Sequence, residues 1–286
     1  MILSNATRRM VIALGTDKLR GTSCTNVVKL GLATGYRTID TAQAYGNERE
    51  VGKAIRELTI PRDEIFITTK ISSGYLKNPR SFQEAYDSAL ASIHRLGVSY
   101  VDLFLIHAPG DNAGARRVTW QALERLVEEG MVKDIGVSNY GIKHIVEMEQ
   151  YAKLFPPGVN QLELHPWCQQ REIVQFCKSR GIMIQANCSL VRNTKSKHPG
   201  LCALATKYGK TTSQMLIRYS LQKDWTPIFK SGDAIHLREN IDVYDFSIGA
   251  DDMKLMDSWD EGVNGAILES LIPKNGGDED REKEAS

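Results

Sequence analysis

A chain of 286 residues with 42% hydrophobic and 25% charged residues is long enough to bury a substantial core as one large domain. Its formal charge of +1, with no long one-sign run before the C-terminal tail, excludes a general affinity for nucleic acid or anionic lipid and leaves small molecules as the expected partners. Five cysteines without a C-x-x-C pair argue against a disulfide framework and a thiolate zinc site. The start, MILSNATRRM, carries no apolar h-region, and no stretch approaches the roughly 20 apolar residues that cross a bilayer. A soluble cytoplasmic protein without a metal is therefore expected, as a monomer or weak dimer.

Short β-rich runs recur at 11–16, 36–42, 65–70, 101–107, 135–139, 160–165, 182–187 and 227–231. IFITTK and VDLFLIH are almost continuously apolar, as parallel strands buried on both faces are. Between the runs lie stretches with helical spacing: 81–96, where Phe82, Ala85, Ala89, Ile93 and Leu96 step by three or four, then 118–129, 143–154 and 212–222. Eight β-then-α units over about 250 residues have the size and pattern of a single-domain (β/α)₈ TIM barrel, expected over 1–273, with its active site at the carboxyl ends of the strands. A doubly wound sheet is the structural competitor, but no G-x-G-x-x-G follows any strand. KNGGDEDREKEAS (274–286) is charged and lacks large apolar residues, so a disordered tail is expected there.

Four ionisable residues stand at or just past the ends of consecutive strands: Asp40 and Tyr45 after the second, Lys70 at the third and His107 at the fourth. Taken singly, each has a bland reading: a rim lysine, a hydrogen-bonded core histidine, an aspartate that forms a turn. Together, on adjacent strands of a barrel, they converge on one mouth. A phenol with the ordinary pKa near 10 is a poor acid at neutral pH unless a cation favours its phenolate. Lys70 would supply that cation, Asp40 would hold it, and His107 would orient a carbonyl oxygen beside the phenol. Such a set suits proton donation to an oxygen that gains charge as hydride reaches its carbon.

GYRTIDTAQAYGNEREVG (35–52), FITTK (66–70), VDLFLIH (101–107), IGVSN (135–139), VNQLELHPW (159–167) and KSGDAIHLREN (230–240) strongly resemble the aldo-keto reductases in content, spacing and order, over nearly all residues from 11 to 262. The resemblance implies reduction of an aldehyde or ketone with NADPH, NADH being the alternative donor. It puts the family's catalytic tetrad on Asp40, Tyr45, Lys70 and His107, with His107 also touching substrate. Ser138, Asn139 and Gln161 fall around the nicotinamide carboxamide, and Thr16 and Asp40 are further implied cofactor contacts. Ser138 and Asn139 also suit capping of a helix starting near Ile142, and strand parity leaves open whether Gln161 faces the barrel or its wall.

At the nucleotide end, Lys230 and Ser231 close the last strand, and Glu239 and Asn240 are expected to open the following helix, matching positions for phosphate and adenine. A helix N-terminus beside a lysine is a good anion site. Two departures stand out. His236 replaces an arginine usually set against the adenosine 2′-phosphate, and histidine lacks arginine's bidentate fork, which weakens the preference for NADPH; Arg238 is the nearest compensating charge. In IQANCSL (184–190), Asn187 occupies the position of a tyrosine that stacks on the nicotinamide, and Ser189 replaces a proline. Cys188 and Leu190 would line the pyrophosphate path, Cys188 otherwise being a small buried hydrophobe. Asp17, Ser72 and Ala108 stand where the family often has aromatic rings, Trp120 and Trp167 suit either the rim or packing, and the C-terminal segment offers little apolar cover. The rival readings are a non-catalytic nicotinamide-nucleotide sensor or regulatory barrel, and a Schiff-base lyase using Lys70.

Overall fold

The computed structural model of the protein describes residues 12–71, 79 and 81–273. All eight β-rich runs form strands: β1 (Ala13–Gly15), β2 (Thr38–Asp40), β3 (Phe66–Ile71), β4 (Val101–Ile106), β5 (Val132–Ser138), β6 (Val159–Glu163), β7 (Met183–Asn187) and β8 (Trp225–Phe229). Each pairs in parallel with its neighbours, and β1 also pairs with β8, so the sheet closes into a barrel. Closure explains the near-continuous apolar runs, because one face of each strand meets the interior and the other meets helices.

The outer layer comprises α1 (Gly21–Thr34), α2 (Glu48–Arg56), α3 (Phe82–Leu96), α4 (Ala113–Glu128), α5 (Ile142–Met148), α6 (Arg171–Ser179), α7 (Pro199–Tyr208), α8 (Thr212–Gln222), α9 (Ala234–Ile241) and α10 (Ala250–Asp257). In α3 the spaced residues Ala85, Ala89, Ile93 and Leu96 are buried, whereas Phe82 is 39% exposed and stacks on Tyr86. α2 crosses α3 closely at Gly52, where a Cβ would lie 1.8 Å from the Leu96 carbonyl oxygen. The main core lies between strands and helices and includes Leu14, Ile39, Ile67, Phe104 and Leu162. A smaller cluster of Phe66, Leu103, Leu105 and Val159 plugs the barrel's amino end. Along β3, Phe66, Thr68 and Lys70 share one face by alternation, so the interior turns from apolar to polar toward the carboxyl ends.

Of the four helices that the spacing predicts, two have a boundary well away from the expected one. α4 begins at Ala113 rather than 118, because Asn112 caps it by accepting the Ala115 amide at 2.9 Å. α5 stops at Met148 rather than 154, because Glu124 Oε1 takes the amides of Lys153 and Leu154 at 2.6 and 2.8 Å, outside any helix. An additional helix, α7, precedes α8 and is capped by His198 Nδ1, which accepts the Leu201 amide. The expected tail at 274–286 and Ser72 lie outside the described residues.

Candidate active site

β3 delivers Lys70 into the barrel, fully buried. Its Nζ donates to Asp40 Oδ1 at 2.5 Å, to the Thr41 carbonyl at 3.0 Å and to Tyr45 Oη at 3.5 Å. An ammonium has three donors, and all three are engaged. Asp40, at the end of β2, also accepts Gln161 Nε2 on Oδ2 at 2.9 Å, so the buried carboxylate is held from both sides.

Tyr45 is half-buried on the short 3₁₀ turn Gln43–Tyr45. Gln43, which the sequence did not single out, fastens that turn to α3: its Nε2 reaches Ser88 O and Ser92 Oγ, each at 2.8 Å. Lys70 Nζ lies 5.0 Å from the centre of the Tyr45 ring, and the His107 ring meets it edge-on at 5.6 Å. Burial, with the Lys70 charge adding to it, pushes the His107 imidazole from its ordinary 6.5 down to about 3. His107 is thus neutral at physiological pH, a hydrogen-bonding group and not an acid.

Gln161 points into the barrel, settling its parity: Nε2 also donates to Gln185 Oε1 at 2.7 Å. With both amide protons spent, Oε1 is what Gln161 can present to a ligand. Ser138 and Asn139 do not cap α5, whose N-cap is Gly141. Ser138 Oγ donates to the Gln161 carbonyl, and Asn139, turned by a φ of 60°, donates to the His107 carbonyl at 3.0 Å. Asparagine tolerates that left-handed backbone. Thr16 Oγ1 donates to the Asp40 carbonyl at 3.0 Å, and Asn47 ties Thr16 and Leu19 to Thr41.

Asn187 ends β7 beside Glu163 of β6, and its buried Oδ1 accepts no hydrogen bond among the described residues. The chain then winds through positive φ at Cys188 (52°), Val191 (50°), Arg192 (46°) and Asn193 (64°). A buried β-branched valine in that region is strained backbone. Ser189 pins this loop to the Ile228 carbonyl, and Leu190 is half-buried on it. Burial, then the nearby Glu163 charge, pushes the Cys188 thiol up to about 12, so it is an inert thiol. Arg192 lies 3.9 Å from Asp17, which leaves β1 at the same mouth.

Past β8, Lys230 is exposed and Ser231 half-buried. α9 opens at Ala234, so Glu239 and Asn240 lie in its last turn and do not open it. The reason is Asp233, which caps the helix by accepting the amides of Ile235 and His236 at 2.8 and 3.0 Å. Those bonds hold its carboxyl below the usual range. His236 is exposed, 3.9 Å from that carboxylate. Trp120 is helix packing, wholly buried in α4, and Trp167 stacks on Trp259. Among the described residues no helix is long and apolar enough to cross a membrane, and no His, Cys, Asp and Glu cluster suits a metal.

The sequence profile of the Aldo/keto reductase family matches residues 12–261. An uncharacterized oxidoreductase of Schizosaccharomyces pombe is 39% identical, over 91% of this chain and 93% of its own length. An aldo-keto reductase of Mycolicibacterium vanbaalenii is 38% identical, over 92% of each. The crystal structure of MGS-M4, an aldo-keto reductase enzyme from a Medee basin deep-sea metagenome library, superposes with a TM-score of 0.82 at 36% identity, covering 88% of this chain and 91% of that one.

Proposed function

The chain belongs to the aldo/keto reductase family, and we propose that it reduces an aldehyde or ketone to an alcohol, with NADPH as the preferred donor, NADH as a second one, and Tyr45 as the proton source. One observation carries the reading: the Lys70 ammonium sits between Asp40 Oδ1 and Tyr45 Oη, with the neutral His107 ring against the phenol. A nicotinamide nucleotide fits the residues present, since the orphaned Asn187 Oδ1 and the Gln161 acceptor oxygen are the partners a carboxamide NH₂ would satisfy. The bound nucleotide supplies the hydride. Tyr45 passes its hydroxyl proton to the carbonyl oxygen, and Lys70 steadies the phenolate left behind. Asp40 and the Thr41 carbonyl keep the ammonium in place, while His107 orients the carbonyl oxygen. Lys230, Ser231, His236, Glu239 and Asn240 are assigned to the nucleotide's phosphate and adenine.

The Lys70 geometry disfavours a Schiff-base role, because every donor of its ammonium is occupied. A reducing cytosolic setting, as monomer or weak dimer, completes the proposal. Steady-state oxidation of NADPH and NADH against a panel of aldehydes tests it. Tyr45→Phe should cost at least about 100-fold in kcat with nucleotide affinity changed only a few-fold. Tight NADPH binding without turnover of any carbonyl would favour the sensor reading instead.

A further inference from the structure

We infer that Glu48 and Arg95 are positioning residues that set the separation of the Tyr45 phenol and the Lys70 ammonium, by closing a ring of polar contacts behind that pair; this rests on the reductase reading above. Along β3, Phe66, Thr68 and Lys70 share the face turned to the barrel interior, so alternation turns Thr69 outward to the helices. There Thr69 Oγ1 donates to Glu48 Oε1 at 2.6 Å. The second oxygen of that carboxylate, Oε2, accepts both Nε and Nη2 of Arg95, each at 2.7 Å. Glu48 is buried at the start of α2, and Arg95 is half-buried in the last turn of α3. Arg95 Nη2 also donates at 2.8 Å to Ser92 Oγ, one turn back on the same helix face. Ser92 Oγ is the atom that Gln43 Nε2 reaches from the Tyr45 turn.

The contacts close on themselves. They run from the Tyr45 turn through Gln43, Ser92, Arg95, Glu48 and Thr69 to Lys70, the next residue of β3, whose Nζ returns to Tyr45 Oη at 3.5 Å. Asp40 and the Thr41 carbonyl aim the ammonium from β2 and the residue after it. Tyr45, however, stands beyond β2 on its own short turn, so its distance from β3 depends on a support that turn and strand share. α3 is that support: Gln43 fastens the turn to Ser92, and Thr69 fastens the strand to Arg95 through the Glu48 carboxylate. The links on Glu48 are charge-assisted hydrogen bonds, and the buried carboxylate has given up its hydration to make them, which fixes direction as well as distance.

Arg95→Met cuts the ring at a half-buried member and spares the core. Thr69→Val cuts it beside Lys70 at nearly constant bulk, and Thr69→Ser restores the hydroxyl. With propanal and NADPH, kcat should fall about ten-fold in Arg95→Met and in Thr69→Val, while KM and the NADPH Kd stay within about two-fold. Thr69→Ser should return kcat to within about two-fold of wild type. The Arg95→Met, Thr69→Val double variant should lose little more than the worse single variant, because one cut already opens a ring. Crystal structures of the wild type and each single variant should show the Tyr45 Oη to Lys70 Nζ separation longer by about 0.5 Å or more in the variants. An unchanged separation would overturn the positioning role. Losses that multiply in the double variant, or a Thr69→Ser as slow as Thr69→Val, would overturn the ring. A rise in KM and in the NADPH Kd that matches the fall in kcat would reduce these residues to general support of the barrel and overturn the inference. A wild type inactive on every carbonyl would sink the reductase reading, while the separation in the crystal structures still decides whether Arg95 and Glu48 hold the pair.

Discussion

Lowering the pH from 7.5 to 4.5 should destabilise the wild-type barrel through His107, and His107→Gln should lack that part of the loss. The folded imidazole is pushed from 6.5 to about 3 by burial first and the Lys70 charge second. Because the folded value lies below the unfolded one, the unfolded chain takes up the proton first. This contribution to stability is complete above pH 6.5, declines between 6.5 and 3, and is flat below. Each pH unit in that window costs about 1.4 kcal/mol, so pH 4.5, two units below the unfolded value, costs about 2.7 kcal/mol. Urea unfolding followed by tryptophan fluorescence, run on both proteins at both pH values, isolates the term, since the carboxylates titrate in common and cancel in the difference. If the two proteins lost stability in parallel, within about 0.5 kcal/mol, the desolvated neutral imidazole would be refuted. The same neutrality predicts that kcat shows no acid limb near pH 6.5 from this residue.

Gln43→Ala should lower kcat about ten-fold and leave NADPH affinity unchanged, because it frees the Tyr45 turn from Ser88 and Ser92 without touching the nucleotide; stopped-flow hydride transfer would show it. His236→Arg should widen the NADPH over NADH preference in kcat/KM by about three-fold or more, and Asp233→Asn should widen it further by removing a fixed anion beside the same helix start. An unchanged ratio in both variants would place the 2′-phosphate elsewhere.

Strand order and the convergence of Asp40, Tyr45, Lys70 and His107 were legible because both depend on short-range pattern: an apolar run for each strand and one ionisable residue at its end. Parity was not legible at Gln161, because a run buried on both faces carries no alternation to count. Helix ends went wrong where a distant side chain decides them. Glu124 reaches from α4 to take the amides that spacing alone would give to α5, and nothing near residue 150 announces it. Asp233 was different, since an aspartate three residues after Lys230 is a recognisable N-cap signal, and it should have moved the start of α9 to Ala234. The hold of the buried Glu163 on the Ile267 and Leu268 amides was invisible for a third reason. Glu163 and residues 267 and 268 are about a hundred positions apart in sequence, and backbone amides leave no mark on composition.

Lys70, Asp40, Gln161 and Gln185 link into one polar chain across the centre of the barrel, joining β2, β3, β6 and β7 through bonds of 2.5 to 2.9 Å. On the proposed reductase reading, thermal endurance and turnover therefore compete for the same few positions. Removing Asp40 alone strands a buried cation, so a dead variant there reports unfolding as much as lost chemistry. Replacing Asp40 and Lys70 together with apolar residues of matching bulk would relieve the cost of burying charge and yield a sturdier, silent barrel. A screen that selects for heat resistance alone would drift toward that silent state, and the middle of the barrel is where its first sequence changes would collect.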